Sequence, residues 1–177
     1  MPKYRRCRRR FRRKGRWSCN IKQIVNNTIT ATEGSFFADL TLCENPQQLD
    51  NTVSQQYTCK NVELSYEIET PSNPGIIESL TAYILFVPQG FVITETLPST
   101  HPEWIMAYRF LGSPNSELAS GSFYQNPGRL PTKIKTRLSR RLQTGDKIIL
   151  LVTGNNETTT SINLVINGLL RWWTKAN

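Results

Sequence analysis

The chain has 177 residues, with 22 basic side chains, 13 acidic ones and a single histidine, for a formal net charge of +9. Its longest purely aliphatic run, Ile148-Ile149-Leu150-Leu151-Val152, is far short of the ~20 residues a membrane-crossing helix needs. No apolar stretch follows the positive N-terminus as a secretory signal requires, so neither a membrane nor a secretory route is expected.

Residues 1–17 read as a disordered, nucleic-acid-binding arm, and residues 18–177 as one folded domain. The arm's cations are Lys3, Arg5, Arg6, Arg8, Arg9, Arg10, Arg12, Arg13, Lys14 and Arg16, with no acidic residue among the first sixteen. Residues 17–177 are left with twelve basic against thirteen acidic side chains, so the net charge resides in the arm. Mutual repulsion and scarce apolar surface prevent such a segment from folding alone, and its natural partner is a polyanion. Arginine dominates, and Tyr4, Cys7, Phe11 and Trp17 interrupt the run. Guanidinium forks clamp phosphates and aromatic rings stack on unpaired bases, so sequence-independent, salt-dependent nucleic-acid binding is expected. The same run fits the loose pattern of a nuclear localisation signal, which makes a nuclear import receptor a further expected partner. A mitochondrial presequence fits less well, because Ser, Leu and Ala are nearly missing from the arm.

Beyond the arm the pattern is β throughout. Ile21 to Thr32 is rich in β-branched residues, and Phe36 to Leu42 is a second apolar run. Glu44 to Gln56 has loop composition. Val62, Leu64, Tyr66 and Ile68 alternate strictly with Glu63, Ser65, Glu67 and Glu69, which predicts a half-buried strand with an acidic wet face. Leu80 to Val87 is apolar almost throughout and fits a strand buried on both faces. Pro88-Gln89-Gly90 turns the chain into the apolar run Phe91 to Thr94. Trp104 to Leu111 follows, then loop composition from Gly112 to Pro131. Residues 132–142 form a further segment, and Thr144-Gly145-Asp146 a tight turn into Lys147 to Thr153. Gly154-Asn155-Asn156-Glu157 predicts another turn before the closing strand, Thr160 to Trp173. About eight strands and no long helix predict an all-β fold, an eight-stranded jelly-roll β-sandwich being preferred over an immunoglobulin-like one.

A second basic cluster comprises Arg129, Lys133, Lys135, Arg137, Arg140 and Arg141. Read as a strand, it puts Lys133, Lys135, Arg137 and Arg141 on one face, with Ile134, Thr136, Leu138 and Leu142 on the other. These four cations are expected to join the arm in binding nucleic acid, although a solvated face balanced by glutamates reads equally well. Catalytic residues, metal ligands and cofactors are not expected. His101 sits in a loop with no nucleophile to serve, and no G-x-x-x-x-G-K phosphate loop occurs. Cys7, Cys19, Cys43 and Cys59 form no C-x-x-C pair and read as reduced thiols, mostly core filler. Trp104, Trp172 and Trp173 are candidates for subunit contacts or ordinary core.

An Arg-rich arm on an all-β body of this size resembles the capsid proteins of small circular single-stranded DNA viruses, the circovirus-like group. Leu138-Ser139-Arg140-Arg141-Leu142-Gln143-Thr144-Gly145-Asp146-Lys147-Ile148 is similar to their basic strand, Gly-Asp turn and apolar strand. Gly168-Leu169-Leu170-Arg171-Trp172-Trp173-Thr174-Lys175-Ala176-Asn177 is similar to their closing strand. The resemblance implies a jelly roll that assembles with itself, sixty copies to a T=1 shell, around a single-stranded DNA genome. It also implies a virion protein that visits the host nucleus. Sixty arms would bring roughly 600 positive charges, against about one negative charge per nucleotide, so a longer genome needs body residues or mobile cations as well. The competing reading is a cellular nucleic-acid-binding protein of ribosomal type with a basic tail, although such proteins usually carry basic bodies too.

Overall fold

Inward-facing aliphatic side chains on alternate residues leave each strand with one face that must be covered, and the chain meets this with two packed antiparallel sheets. The computed structural model describes residues 17–45, 57–69, 77–112, 132–156, 159 and 161–176. The strands are β1 (Ser18–Ala31), β2 (Gly34–Glu44), β3 (Tyr57–Glu69), β4 (Ile77–Val87), β5 (Ile105–Gly112), β6 (Thr132–Lys135), β7 (Ser139–Leu142), β8 (Lys147–Asn156) and β9 (Ile162–Ala176). One sheet has the order β1-β9-β3-β6, with β7 also on β3, and the other has the order β2-β8-β4-β5.

The pairings are nested. β1 pairs with β9, β2 with β8, β3 with β6 and β7, and β4 with β5. This is a long antiparallel hairpin with its tip at β4 and β5, rolled so that its strands divide between two sheets. β6 and β7 occupy successive lengths of the same neighbour, opposite residues 63–66 and 57–60 of β3. They count as one strand position, and eight positions in this order make an eight-stranded jelly roll.

Between the sheets lies one core, which includes Ile24, Ile29, Phe36, Leu64, Tyr66, Ile84, Ile134, Leu150, Leu164, Ile166 and Leu170. The outward side of the second sheet has its own smaller core of Leu85, Val87, Leu97, Ile149 and Leu151. Residues 88–104 cross this face, with a single helical turn at Leu97–Thr100 and a 3₁₀ turn at Pro102–Trp104. Ile93, Trp104 and Ile105 pack onto it. Buried on both faces, β4 has the near-continuous apolar sequence expected of it.

Phe91 to Thr94 belongs to this covering segment. Two expectations are corrected. Gly154 to Asn156 is not a turn but the end of β8, paired with Gly34 to Phe36. Gly154 is required by close approach, since a Cβ there would stand 2.8 Å from the Phe36 ring. Residues 132–142 are not one strand. The break falls where β3 bulges between Lys60 and Glu63, with Asn61 at φ 51°. The Thr136 hydroxyl accepts the Leu138 amide at 3.0 Å, turning the chain so that Leu138 is exposed rather than facing the core. The loop expectations for 46–56 and 113–131 lie outside the described residues.

The Gly-Asp turn forms as predicted, with Gly145 at φ +84°. Its Asp146 is a buried polar hub whose carboxylate accepts the amides of Gln89 at 3.0 Å and Gln143 at 2.8 Å. The backbone of the same turn exchanges hydrogen bonds with Asn45, which follows β2. One carboxylate thus ties the β4 exit to the β7–β8 turn. Asp146→Ala leaves two amides without their acceptor and is expected to cost about 1–3 kcal/mol, read as a lower urea midpoint with an unchanged slope.

Candidate nucleic-acid interface

The outward side of the β1-β9-β3-β6/β7 sheet collects the body's cations. Inward residues fix the phase. Leu164, Ile166 and Leu170 of β9 are buried, so Arg171, Trp173 and Lys175 point the other way. On β3, buried Cys59, Val62 and Leu64 leave Lys60 and Glu63 outward. Strand register then assembles rows across the face. Cys19, Trp173, Lys60 and Ser139 are neighbours in one, and Ile21, Arg171, Glu63 and Lys135 in another. Lys175, Thr58 and Arg141 form a third, and Leu169, Ser65 and Lys133 lie in a fourth.

Six cations, Lys60, Lys133, Lys135, Arg141, Arg171 and Lys175, therefore share this face. Among the described side chains one carboxylate opposes them: Glu63, which holds Lys135 at 3.5 Å. Glutamates 67 and 69 follow on the same strand, toward its other end. Lys135 is exposed and Glu63 half-buried, so the pair is of little energetic weight. Ile21, Val25 and Leu169 add exposed aliphatic surface on the β1 and β9 side.

Of the body residues singled out from sequence, Lys133, Lys135 and Arg141 are exposed on this face, and Arg137 is exposed in the break between β6 and β7. Arg140 turns the other way. Its guanidinium donates to the Glu103 carbonyl and lies 5.6 Å from the Phe86 ring, which makes it a strut between the sheets. Sequence reading missed Lys60, Arg171 and Lys175. The signal was present for β9, because the alternation of Ile162, Leu164 and Ile166 carries through Leu170 and Trp172 and throws the odd-numbered positions outward. The arm cations from Lys3 to Arg16 lie outside the described residues. The nearest described residue is Trp17, whose ring lies 3.9 Å from the Lys60 ammonium, so the arm joins the body at this cationic face.

The three candidate tryptophans part company. Trp172 packs against the main core and Trp104 against the smaller one, while Trp173 faces outward. Trp104 stacks on His101 at 3.9 Å between ring centroids and meets Phe91 edge-on at 4.7 Å. His101 Nδ1 lies 3.1 Å from the Glu103 carboxylate. Glu103's own backbone amide, and then His101, hold that carboxyl below the usual carboxylate range. The histidine is thus engaged in fastening the covering segment.

Two thiols meet between the sheets. Cys43 of β2 accepts a hydrogen bond from the Cys59 thiol of β3, which lowers its pKa against the opposing effect of burial. Donating that bond, together with burial, pushes Cys59 far up. Cys19, by contrast, is exposed rather than core filler. Among the described residues, no group of three His, Cys, Asp or Glu side chains is placed to hold a metal ion, and no helix is long and apolar enough to cross a membrane.

No family model matches the sequence, and no curated protein matches it. Among solved structures, a chain of maize chlorotic mottle virus is similar with a TM-score of 0.41 and 8% identity, over 89% of this chain and 92% of that one. A turnip yellow mosaic virus chain gives 0.39 and 14%, over 92% and 94%. A chain of infectious bursal disease virus, Gx strain, gives 0.36 and 13%, over 92% of this chain and 32% of that one. Scores this low carry no weight for the fold, and the jelly-roll assignment rests on strand order.

Among the described cysteines, alkylation of the folded chain, mapped by mass spectrometry, is expected to modify Cys19 before Cys43. Cys59 is expected to react only after denaturation.

Proposed function

We propose that the chain is a viral coat protein that assembles with itself into a closed shell and packages nucleic acid through its N-terminal arm. The observation that carries this reading is the segregation of charge. Ten cations are confined to an arm that joins a near-neutral jelly roll at a face that gathers six of the body's own cations. Near-neutral bodies can approach one another without strong repulsion, while the arms condense on a polyanion and raise the local concentration of bodies. Bearing out the circovirus-like resemblance would make the shell a T=1 assembly of sixty copies, the cargo circular single-stranded DNA and the site of assembly the host nucleus. The chain would act by binding and assembly, without catalysis. Lys133, Lys135, Arg137 and Arg141 would supplement the arm on the genome side.

Deleting residues 1–16 is the direct test. The truncated chain is expected to keep its β-rich circular dichroism and thermal midpoint, because it retains every residue of the two described cores. It is expected to lose copurifying nucleic acid, read as a fall in the ratio of absorbance at 260 to 280 nm. Lys133→Gln/Lys135→Gln/Arg141→Gln, all exposed, should alter stability by less than about 0.5 kcal/mol while lowering the salt sensitivity of nucleic-acid binding. A truncated chain that retains the same nucleic acid at physiological salt contradicts the reading. So would a full-length chain that stays monomeric with nucleic acid bound, which would favour the cellular binding protein.

A further inference from the structure

The arm contacts phosphates that every nucleic acid shares, so it cannot distinguish a single strand from a duplex. One end of the cationic face holds groups that can. Along β9, Arg171, Trp173 and Lys175 alternate outward while Leu170 and Trp172 turn to the core. Residues two apart on a strand stand about 7 Å from one another, so Trp173 has a cation on either side at that spacing. Register puts Lys60 beside Trp173, and Arg141 in the row of Lys175. Trp17 is 38% exposed and lies against Lys60. Two indole rings and four cations are therefore gathered at one end of this face from β3, β7, β9 and the residue just before β1, at the point where the arm leaves.

We propose that this patch is a binding site for single-stranded nucleic acid. Trp173 and Trp17 offer their faces to unpaired bases, and Lys60, Arg141, Arg171 and Lys175 hold the flanking phosphates. Stacking on an aromatic ring tolerates any base but requires that the base be unpaired, so duplex has nothing to give these rings. The contact between Lys60 and Trp17 is weak at an exposed site and yields readily to a base or a phosphate. Exposed apolar and basic surface could also suit an acidic protein segment, but aromatic rings interspersed with cations match the nucleic-acid chemistry better. The inference deepens the proposed function and rests on it, because it gives the folded body the task of choosing strandedness while the arm supplies affinity.

The test uses the full chain and its four tryptophans, with fluorescently labelled oligo-dT and a duplex of equal length as probes, over a range of salt. The wild-type chain is expected to bind oligo-dT more tightly than duplex, with quenching of tryptophan emission. Trp173→Ala should weaken oligo-dT binding roughly ten-fold or more and leave duplex binding unchanged. Lys60→Gln/Arg171→Gln/Lys175→Gln should reduce the slope of log affinity against log salt by about 2 on the single strand. These three side chains lie on the surface, so this variant decides the matter even if Trp173→Ala fails to fold. Variants that bind oligo-dT as the wild type does overturn the patch and leave the arm's role standing. A wild-type chain that binds neither probe overturns both.

Discussion

The placement of β9 between β1 and β3 is the constraint on which the rest of the molecule depends. The last strand is hydrogen-bonded on both edges, to the first strand over Ser18 to Ala31 and to the third over Tyr57 to Glu69. It cannot pair until nearly the whole chain is present, and the core it closes includes Ile24, Leu64, Leu164 and Leu170 from three strands. Pairing at such sequence separation pays its loop-closure entropy before any contact repays it, which makes this a slow-folding topology. The same pairing fixes the electrostatics. It lays Arg171 and Trp173 beside Ile21 and Cys19 at the start of β1, so the first and last strands build one surface.

Gly168 shows how tightly that strand is held. A Cβ at this position would come within 2.8 Å of the Ser65 carbonyl oxygen and 3.2 Å of the Tyr66 Cβ, both on β3. Only a residue without a side chain lets β9 approach here. Opposing bulges do the remaining adjustment. β1 slips between Ile24 and Asn27, where Asn26 takes φ 49° and its amide is met by the Asn167 side chain at 2.8 Å. β3 slips between Lys60 and Glu63, opposite the break between β6 and β7. Such bulges bend and twist the strands without reversing which face is buried further along.

What could be read from the sequence was whatever is set by neighbours along the chain. Alternation over Val62 to Tyr66, the two-sided burial of Leu80 to Val87 and the turn at Gly145 are local signals, and each forms as read. Misreadings occur where a distant residue decides. Leu138 follows the inward phase in sequence but is displaced outward by a bulge on β3 and the Thr136 hydroxyl. Gly154 looks like turn chemistry and instead clears space for Phe36. The cationic face was half legible. Lys133, Lys135 and Arg141 stand out as a run, whereas Lys60 and Arg171 are isolated in sequence and gain meaning only through register.

Charge then links the fold to its proposed work. In the proposed function the arm's ten cations supply affinity for a polyanion and the near-neutral body supplies contacts between copies. Electron microscopy of the purified full-length chain at physiological salt tests this most directly. Uniform closed particles roughly 20 nm across, the size that sixty domains of this radius would enclose, are the predicted result. A monodisperse monomer or dimer that persists when single-stranded DNA is added would contradict the account.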